Sequence, residues 1–167
     1  PEDIDSFIGD GSPDSYRQLV DQLLANPSFG ERWGRVWLDL ARYADSNGYE
    51  EDELRPHAYT YRDFVIWAMN NDLPYDDFIR WQVAGDELEP QIPLAVAATG
   101  LMTAGPYNTF IPQESERYDE LDDMVSTLLS TSLGLTVGCA RCHDHFYDPI
   151  PTRDYYGLVA VFKEASR

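Results

Sequence analysis

Three observations predict an all-α fold, an irregular bundle of about six or seven helices. Apolar residues recur at helical spacing in one segment after another, and no useful run alternates with the period of two that a strand requires. Pro, Gly and Asn punctuate the joints between these stretches. Of the 167 residues 43% are apolar and 13% aromatic, enough for one real core, so disorder is not the expectation. No internal repeat or low-complexity tract interrupts the pattern.

Residues 1–12 are acidic, carry Gly9 and Gly11, and are expected to form a loose lead-in, with a single helical domain over 13–167. Ser12-Pro13 offers an N-cap followed by proline at the first helical position, and Tyr16, Leu19, Val20, Leu23 and Leu24 line one face of a helix ending near Ala25. Asn26-Pro27 breaks it. Ser28 caps a second helix whose broad apolar face holds Trp33, Val36, Trp37, Leu40, Ala41 and Ala44, and Asp45-Ser-Asn-Gly48 ends it. The acidic run from Glu50 to Glu53 is expected to be a solvated loop. A third helix is predicted over Pro56 to Asn70, with Tyr59, Phe64, Ile66 and Trp67 as buried candidates, and Asn71-Asp-Leu-Pro74 stops it. The next helix, Tyr75 to Ala84, presents Phe78, Trp81 and Gln82 and closes at Gly85. Pro93 to Ala104 is small and apolar and predicts a deeply packed helix before the Gly105-Pro106 turn, after which Tyr107 to Gln113 is irregular with exposed aromatics. A long helix from Glu114 to Leu133 leads through Gly134 and Gly138 to a C-x-x-C-H segment. Asp148-Pro-Ile-Pro151 is a rigid stop, and Thr152 caps a last helix bearing Tyr155, Tyr156, Leu158, Val159 and Phe162.

The formal charge is −18, from 30 acidic and 12 basic residues, and Lys163 is the sole lysine. Such a chain repels nucleic acid and anionic membrane surfaces. No run approaches the roughly 18 apolar residues of a membrane span, so membrane insertion is not expected. The acidic excess suits a solvated surface or a docking face for a basic redox partner. The chain begins at Pro1 without an initiator Met and ends in what reads as a helix, as expected of a piece of a longer protein.

Cys139-Ala-Arg-Cys142-His143 uses both cysteines of the chain. In this spacing two thiols capture the vinyl groups of a haem and the adjacent imidazole ligates its iron, so haem c is the expected cofactor, one per chain, with His143 as proximal ligand. For the sixth position the candidates are His57 and the thioethers of Met69, Met102 and Met124. Met102 is preferred for its small, apolar helix, although ordinary core packing explains a methionine equally well. His145, two residues beyond His143, does not easily reach the opposite face of the same iron. Its better uses are a hydrogen bond to a haem propionate, ligation of a neighbouring haem, or metal binding. Arg141 and Arg153 are candidates to pair with propionates, and Tyr147, Tyr155 and Tyr156 to cover the macrocycle. Surface ion pairs and core packing predict the same residues.

Two readings compete. A zinc knuckle would use Cys139, Cys142, His143 and His145 with Asp144 and Asp148 nearby, but neighbouring Cys142 and His143 diverge awkwardly for a closed tetrahedral site. A disulfide turn would leave the histidines incidental. Asp45 to Glu50 is too short for a twelve-residue calcium loop and reads as a helix C-terminal turn. No phosphate-binding glycine loop, nucleophile elbow or H-E-x-x-H is present. The expected function is a c-type haem electron-transfer module more than a catalyst. The alternatives are a structural or carbohydrate-associated module whose Cys/His cluster binds metal or forms a disulfide, and a haem enzyme with an open distal site. Because c-type haem is attached on the outer face of the bacterial plasma membrane, a periplasmic or cell-surface location follows from the haem reading. A redox partner protein or neighbouring haem domain, in a homo-oligomer or multidomain assembly, is the expected company.

From Tyr16 onward further segments carry a resemblance. They are Phe29-Gly-Glu-Arg-Trp33, Trp37-Leu-Asp-Leu-Ala-Arg-Tyr-Ala-Asp45, Asn47-Gly-Tyr-Glu50, Tyr61-Arg-Asp-Phe-Val-Ile66, Asn71-Asp-Leu-Pro-Tyr-Asp76, Ala84-Gly-Asp86 and Gly138-Cys-Ala-Arg-Cys-His-Asp-His145, completed by Tyr147-Asp-Pro-Ile150 and Asp154-Tyr-Tyr156. In these the chain resembles a domain of unknown function that recurs in large secreted proteins of planctomycetes and their verrucomicrobial relatives, often beside a cytochrome-type domain. Phe146 departs from the basic residue usual there, which removes a positive charge beside the haem or metal. The resemblance implies export, a multidomain context and an association with surface polysaccharide breakdown.

Overall fold

The computed structural model describes residues 2–49, 52–107 and 114–165, leaving the Glu114 side chain aside. Among these residues the fold is all-helical, as the periodicity predicts, with one isolated antiparallel bridge between Ser46 and Leu54. Most of the irregular segment expected over Tyr107 to Gln113, and Glu50 and Glu51 of the acidic run, lie outside the described residues.

Within the lead-in, Glu2–Gly9 forms helix α1, with Ile4, Phe7 and Ile8 at helical spacing and Glu2, Asp3 and Asp5 in the first turn, where the helix dipole favours acids. Helix α2 spans Ser15–Leu24, and neither helix has a buried residue. The α2 face predicted from periodicity exists, but Tyr16, Leu23 and Leu24 are exposed. Helix α3, Ser28–Leu40, stops earlier than expected because the chain turns at Arg42 into the left-handed region, φ 60°. Trp33 and Val36, expected in its packed face, are also exposed, whereas Gly30, Gly34 and Trp37 are buried.

The small residues explain that choice. A Cβ on Gly30 would stand 2.5 Å from the Ile66 carbonyl oxygen of α4, Tyr59–Asn70, so α3 lies against α4 on a glycine face. Asn70 secures the crossing: its Oδ1 accepts the Gly30 N–H at 2.8 Å and its Nδ2 donates to the Pro27 carbonyl at 3.0 Å. In α4 the buried residues are Tyr61, Phe64, Val65 and Ala68, while Tyr59 is exposed.

Helix α5, Tyr75–Leu88, runs past its expected stop after a kink at Ala84, φ −152° and ψ 35°. Gly85 follows the kink where a Cβ would meet the Ala95 carbonyl oxygen at 2.0 Å. The backbone of α6, Pro93–Ala98, thus presses on that turn. The predicted Pro93–Ala104 helix divides at Thr99 into α6 and the single turn α7, Gly100–Thr103. Helix α8 spans Glu114–Leu133, as predicted, and Gly134 leaves it in the left-handed conformation, φ 69°. A 3-10 segment, Val137–Arg141, and helix α9, Thr152–Val161, complete the order.

Two apolar clusters form the core. Trp37, Tyr61, Phe64, Phe78 and Leu101 anchor the first, with Trp37 edge-on to Phe78 at 4.8 Å between ring centres. Gln82 is fully buried within it and bonded at both ends of its amide: Oε1 accepts from Trp37 Nε1 at 2.9 Å and from the Tyr61 hydroxyl at 2.7 Å, and Nε2 donates to the Phe78 carbonyl at 2.9 Å. A buried amide is tolerated only when its partners are present. Met102, Leu121, Met124, Val125, Val137, Ala140, Tyr155 and Val159 make the second cluster, and Leu129 and Phe162 pack against both.

Candidate functional site

The second cluster is what positions the cysteine segment. Val137 and Ala140 are buried on the inner side of the 3-10 turn, against α8 and α9, while Cys139 and Cys142 are free thiols exposed on its outer side. Three residues of the C-x-x-C-H pattern are therefore presented to solvent, His143 included.

Carboxylates on α8 clamp the segment. Arg141 Nη2 donates to Asp119 Oδ1 at 2.6 Å and its Nη1 to Asp122 Oδ2 at 3.1 Å, which holds the guanidinium firmly protonated. Asp122 also receives the Tyr155 hydroxyl, and the Tyr156 hydroxyl donates to the Arg141 carbonyl at 3.1 Å. Burial, with Asp122 beside it, pushes the Tyr155 phenol above its ordinary range. Arg141, expected to meet a propionate, is thus engaged with two carboxylates, and Arg153 pairs with Asp154 at 3.4 Å on the surface.

The two histidines beyond the cysteines are used differently. His143 Nδ1 lies 2.9 Å from the Asp144 carbonyl oxygen; a carbonyl only accepts, so Nδ1 carries a proton, and in the neutral ring Nε2 keeps the lone pair. Nε2 meets no hydrogen-bond partner among the described residues. This is the arrangement that turns an imidazole into a ligand of fixed orientation. The ring of Phe146 stands 4.5 Å from that of His143 and is 81% exposed, and Tyr147 is 93% exposed. Two thiols, an oriented imidazole and uncovered aromatic rings suit a flat, largely apolar group bonded through sulfur, and in that respect the chain's residues fit a covalently held haem.

His145 is a structural residue. Its Nδ1 accepts the N–H groups of Asp148 at 2.8 Å and Tyr147 at 3.3 Å, and Nε2 donates to Thr136 Oγ1 at 3.1 Å. The Asp148 carboxylate is 3.4 Å from Nδ1, but a nitrogen that already accepts two N–H groups has no proton to share with it. A propionate bond, a neighbouring haem or a metal would each need a ring nitrogen that is already taken. Asp144 is committed too, its Oδ1 capping α9 at the Thr152 N–H, 2.8 Å away. Among the described residues no group of three or more His, Cys, Asp or Glu side chains is gathered as a metal site.

The two preferred sixth-ligand candidates lie elsewhere. Met102 is 7% exposed in the second cluster, behind Val137 and Ala140. His57 lines a cavity of about 380 Å³ together with Tyr43, Arg55, Tyr61, Thr103 and Tyr107; no residue of the cysteine segment lines it. Sequence reasoning missed Asp119, Asp122 and Thr136. The first two are acids one helical turn apart on α8, and that spacing was the available signal.

Fold and site define a class: a chain all-helical among its described residues that presents a C-x-x-C-H segment on a packed apolar cluster. The family model PSCyt2, described as protein of unknown function DUF1549, matches residues 1–167, and the chain belongs to that family. No curated protein and no solved structure matches it. No helix among the described residues is long and apolar enough to cross a membrane.

Proposed function

We propose that the chain is a c-type haem-binding electron-transfer module of an exported protein, with haem attached at Cys139 and Cys142 and ligated by His143. The observation that carries this is the joint exposure of both thiols and of an imidazole whose Nδ1–H is already given to the Asp144 carbonyl. Each thiol would add across one vinyl group, sulfur to one carbon and hydrogen to the other, so attachment needs no oxidant. Bound haem would supply a one-electron couple. The chain's own residues would fix its edge through the two sulfurs, orient the axial nitrogen, and cover part of one face with Phe146 and Tyr147. Attachment of this kind places the protein in the periplasm or at the cell surface. The charge of −18 suits a basic redox partner, within the secreted planctomycete-type assemblies that the sequence resembles.

The test is production of the chain in a host competent in cytochrome c maturation, followed by a pyridine haemochrome spectrum of denatured protein. Covalent haem at one per chain is expected, and Cys139→Ala with Cys142→Ala should abolish it. A colourless, folded protein, or unchanged haem content in the double variant, overturns the reading. Cysteines found oxidised to each other in the colourless protein would favour the disulfide-stapled structural module instead.

A further inference from the structure

The cavity that His57 borders is separate from the cysteine segment, and its walls are fastened by the chain's own hydrogen bonds. Arg55 is the stitch: its Nε donates to Asn47 Oδ1 at 2.7 Å, its Nη1 to the Ala104 carbonyl at 3.0 Å and its Nη2 to the Gly105 carbonyl at 2.7 Å. Backbone bonds from Arg55 to Asp45, from Asn47 to Glu53 and from Tyr107 to Asn47 tie the same strap to the chain leaving α3 and α7. This frame encloses about 380 Å³, within the range of roughly 300–1,000 Å³ in which proteins hold small molecules. We infer that the cavity is a binding site for a small uncharged phenol or aromatic alcohol, with the ring against Tyr43 and Tyr61 and the hydroxyl at His57. Haem attachment plays no part in it.

The tyrosines present carbon, not oxygen, to this space. Tyr43 gives its hydroxyl to Asp45 at 2.6 Å and Tyr61 gives its own to Gln82 at 2.7 Å, and neither acceptor lines the cavity. Leu54, Pro56 and Ala58 add aliphatic surface. The hydroxyls of Thr60 and Thr103 are donated to the His57 and Gly100 carbonyls. An aromatic ring placed among such walls gains apolar burial and ring-to-ring contact together.

Two side chains are left for polar recognition. The exposed His57 ring has no hydrogen-bond partner among the described residues, and as a neutral imidazole it offers one donor and one acceptor. A hydroxyl, which also both donates and accepts, is its match. Asn47 gives Oδ1 to Arg55 and keeps Nδ2 as a second donor on the wall.

Charge narrows the class further. None of the described residues lining the cavity is acidic, although acids are 30 of the 167 residues, so a cationic ligand finds no counter-ion there. The −18 of the whole chain opposes anions, and the Arg55 guanidinium is already spread over structural oxygens. Phenols stay neutral at pH 7, as tyrosine does with a pKa of about 10.

The experiment is saturation-transfer NMR on the purified chain at pH 7, with p-cresol, toluene, p-toluate and p-methylbenzylamine as probes, repeated on His57→Ala and Ala44→Trp. Both substitutions fall at exposed positions on the cavity wall, where the fold tolerates them. Expected is saturable binding of p-cresol at about 1 mM or tighter, toluene weaker, and the two charged probes weaker still. His57→Ala should weaken p-cresol about fivefold and leave toluene unchanged, and Ala44→Trp should abolish binding of both. No saturable transfer to p-cresol, undiminished transfer in Ala44→Trp, or a charged probe that binds more tightly than p-cresol overturns the site. Equal affinity for p-cresol in His57→Ala and the parent overturns the assignment of the hydroxyl and with it the ligand class.

Discussion

Gln82 is the polar centre of the first cluster, and replacing it with leucine tests the packing account directly. The substitution nearly conserves volume but removes the acceptor on which two buried donors converge, at 2.9 Å from Trp37 Nε1 and 2.7 Å from the Tyr61 hydroxyl. Trp37 keeps an alternative, since its Nε1 is also 3.0 Å from the Tyr61 oxygen. The Tyr61 O–H has none. One orphaned buried hydroxyl costs about 1–3 kcal/mol, and the lost amide bonds add about 1 kcal/mol. Extra apolar burial returns about 1 kcal/mol. The net expectation is about 2 kcal/mol of destabilisation, a fall in Tm of about 4–8 °C for a domain of this size. Urea unfolding followed by tryptophan fluorescence measures it. Adding Tyr61→Phe removes the orphan, so the double variant should be less destabilised than the sum of the singles by about 1 kcal/mol. A Gln82→Leu protein within about 0.5 kcal/mol of the parent, or strictly additive singles, would refute the network.

Two glycines should respond oppositely to alanine. At Gly85 the new Cβ would sit 2.0 Å from the Ala95 carbonyl oxygen, so Gly85→Ala is expected to cost about 3 kcal/mol or prevent folding, whereas at Gly157 in α9 nothing lies within 4 Å and alanine should stabilise by about 0.5–1 kcal/mol; denaturation midpoints of the two variants decide. Stability should also fall at high pH. Burial and the Asp45 hydrogen bond push the Tyr43 phenol up to about 12, and burial raises Tyr61 and Tyr155 as well. The unfolded chain releases these protons from about pH 10, so their stabilisation is complete below that pH and is lost as pH rises through the folded values. Urea titrations from pH 8 upward should show the decline, less steep in Tyr155→Phe; a flat profile contradicts it.

Much of the helical order is legible in the chain because its stops are chemical. Asn71-Asp-Leu-Pro74, Gly134 and Pro151-Thr152 each delimit an observed helix end, and α8 falls where its periodicity places it. What covers a helix face is a different matter. Spacing marks Tyr16, Leu23, Trp33 and Val36 as one-sided, yet they are exposed; on α3 the face turned to α4 is the one that carries Gly30 and Gly34. The α1 segment hides its helix behind acids and two glycines. At the site, spacing alone identifies two thiols and an imidazole. It does not say that Arg141 meets Asp119 and Asp122, or His145 meets Thr136, because those pairings depend on how α8 and the following loop come together in space.

Helix α8 spans 20 residues, a rod about 30 Å long. Near its start Arg117 gathers the backbone carbonyls of Phe162, Lys163 and Ala165, and further along Asp119 and Asp122 grip Arg141. The thiol turn and the end of α9 are thereby bolted to one girder. Both attachments leave α8 between Arg117 and Asp122, so the thiol turn and the end of α9 share one short stretch of support.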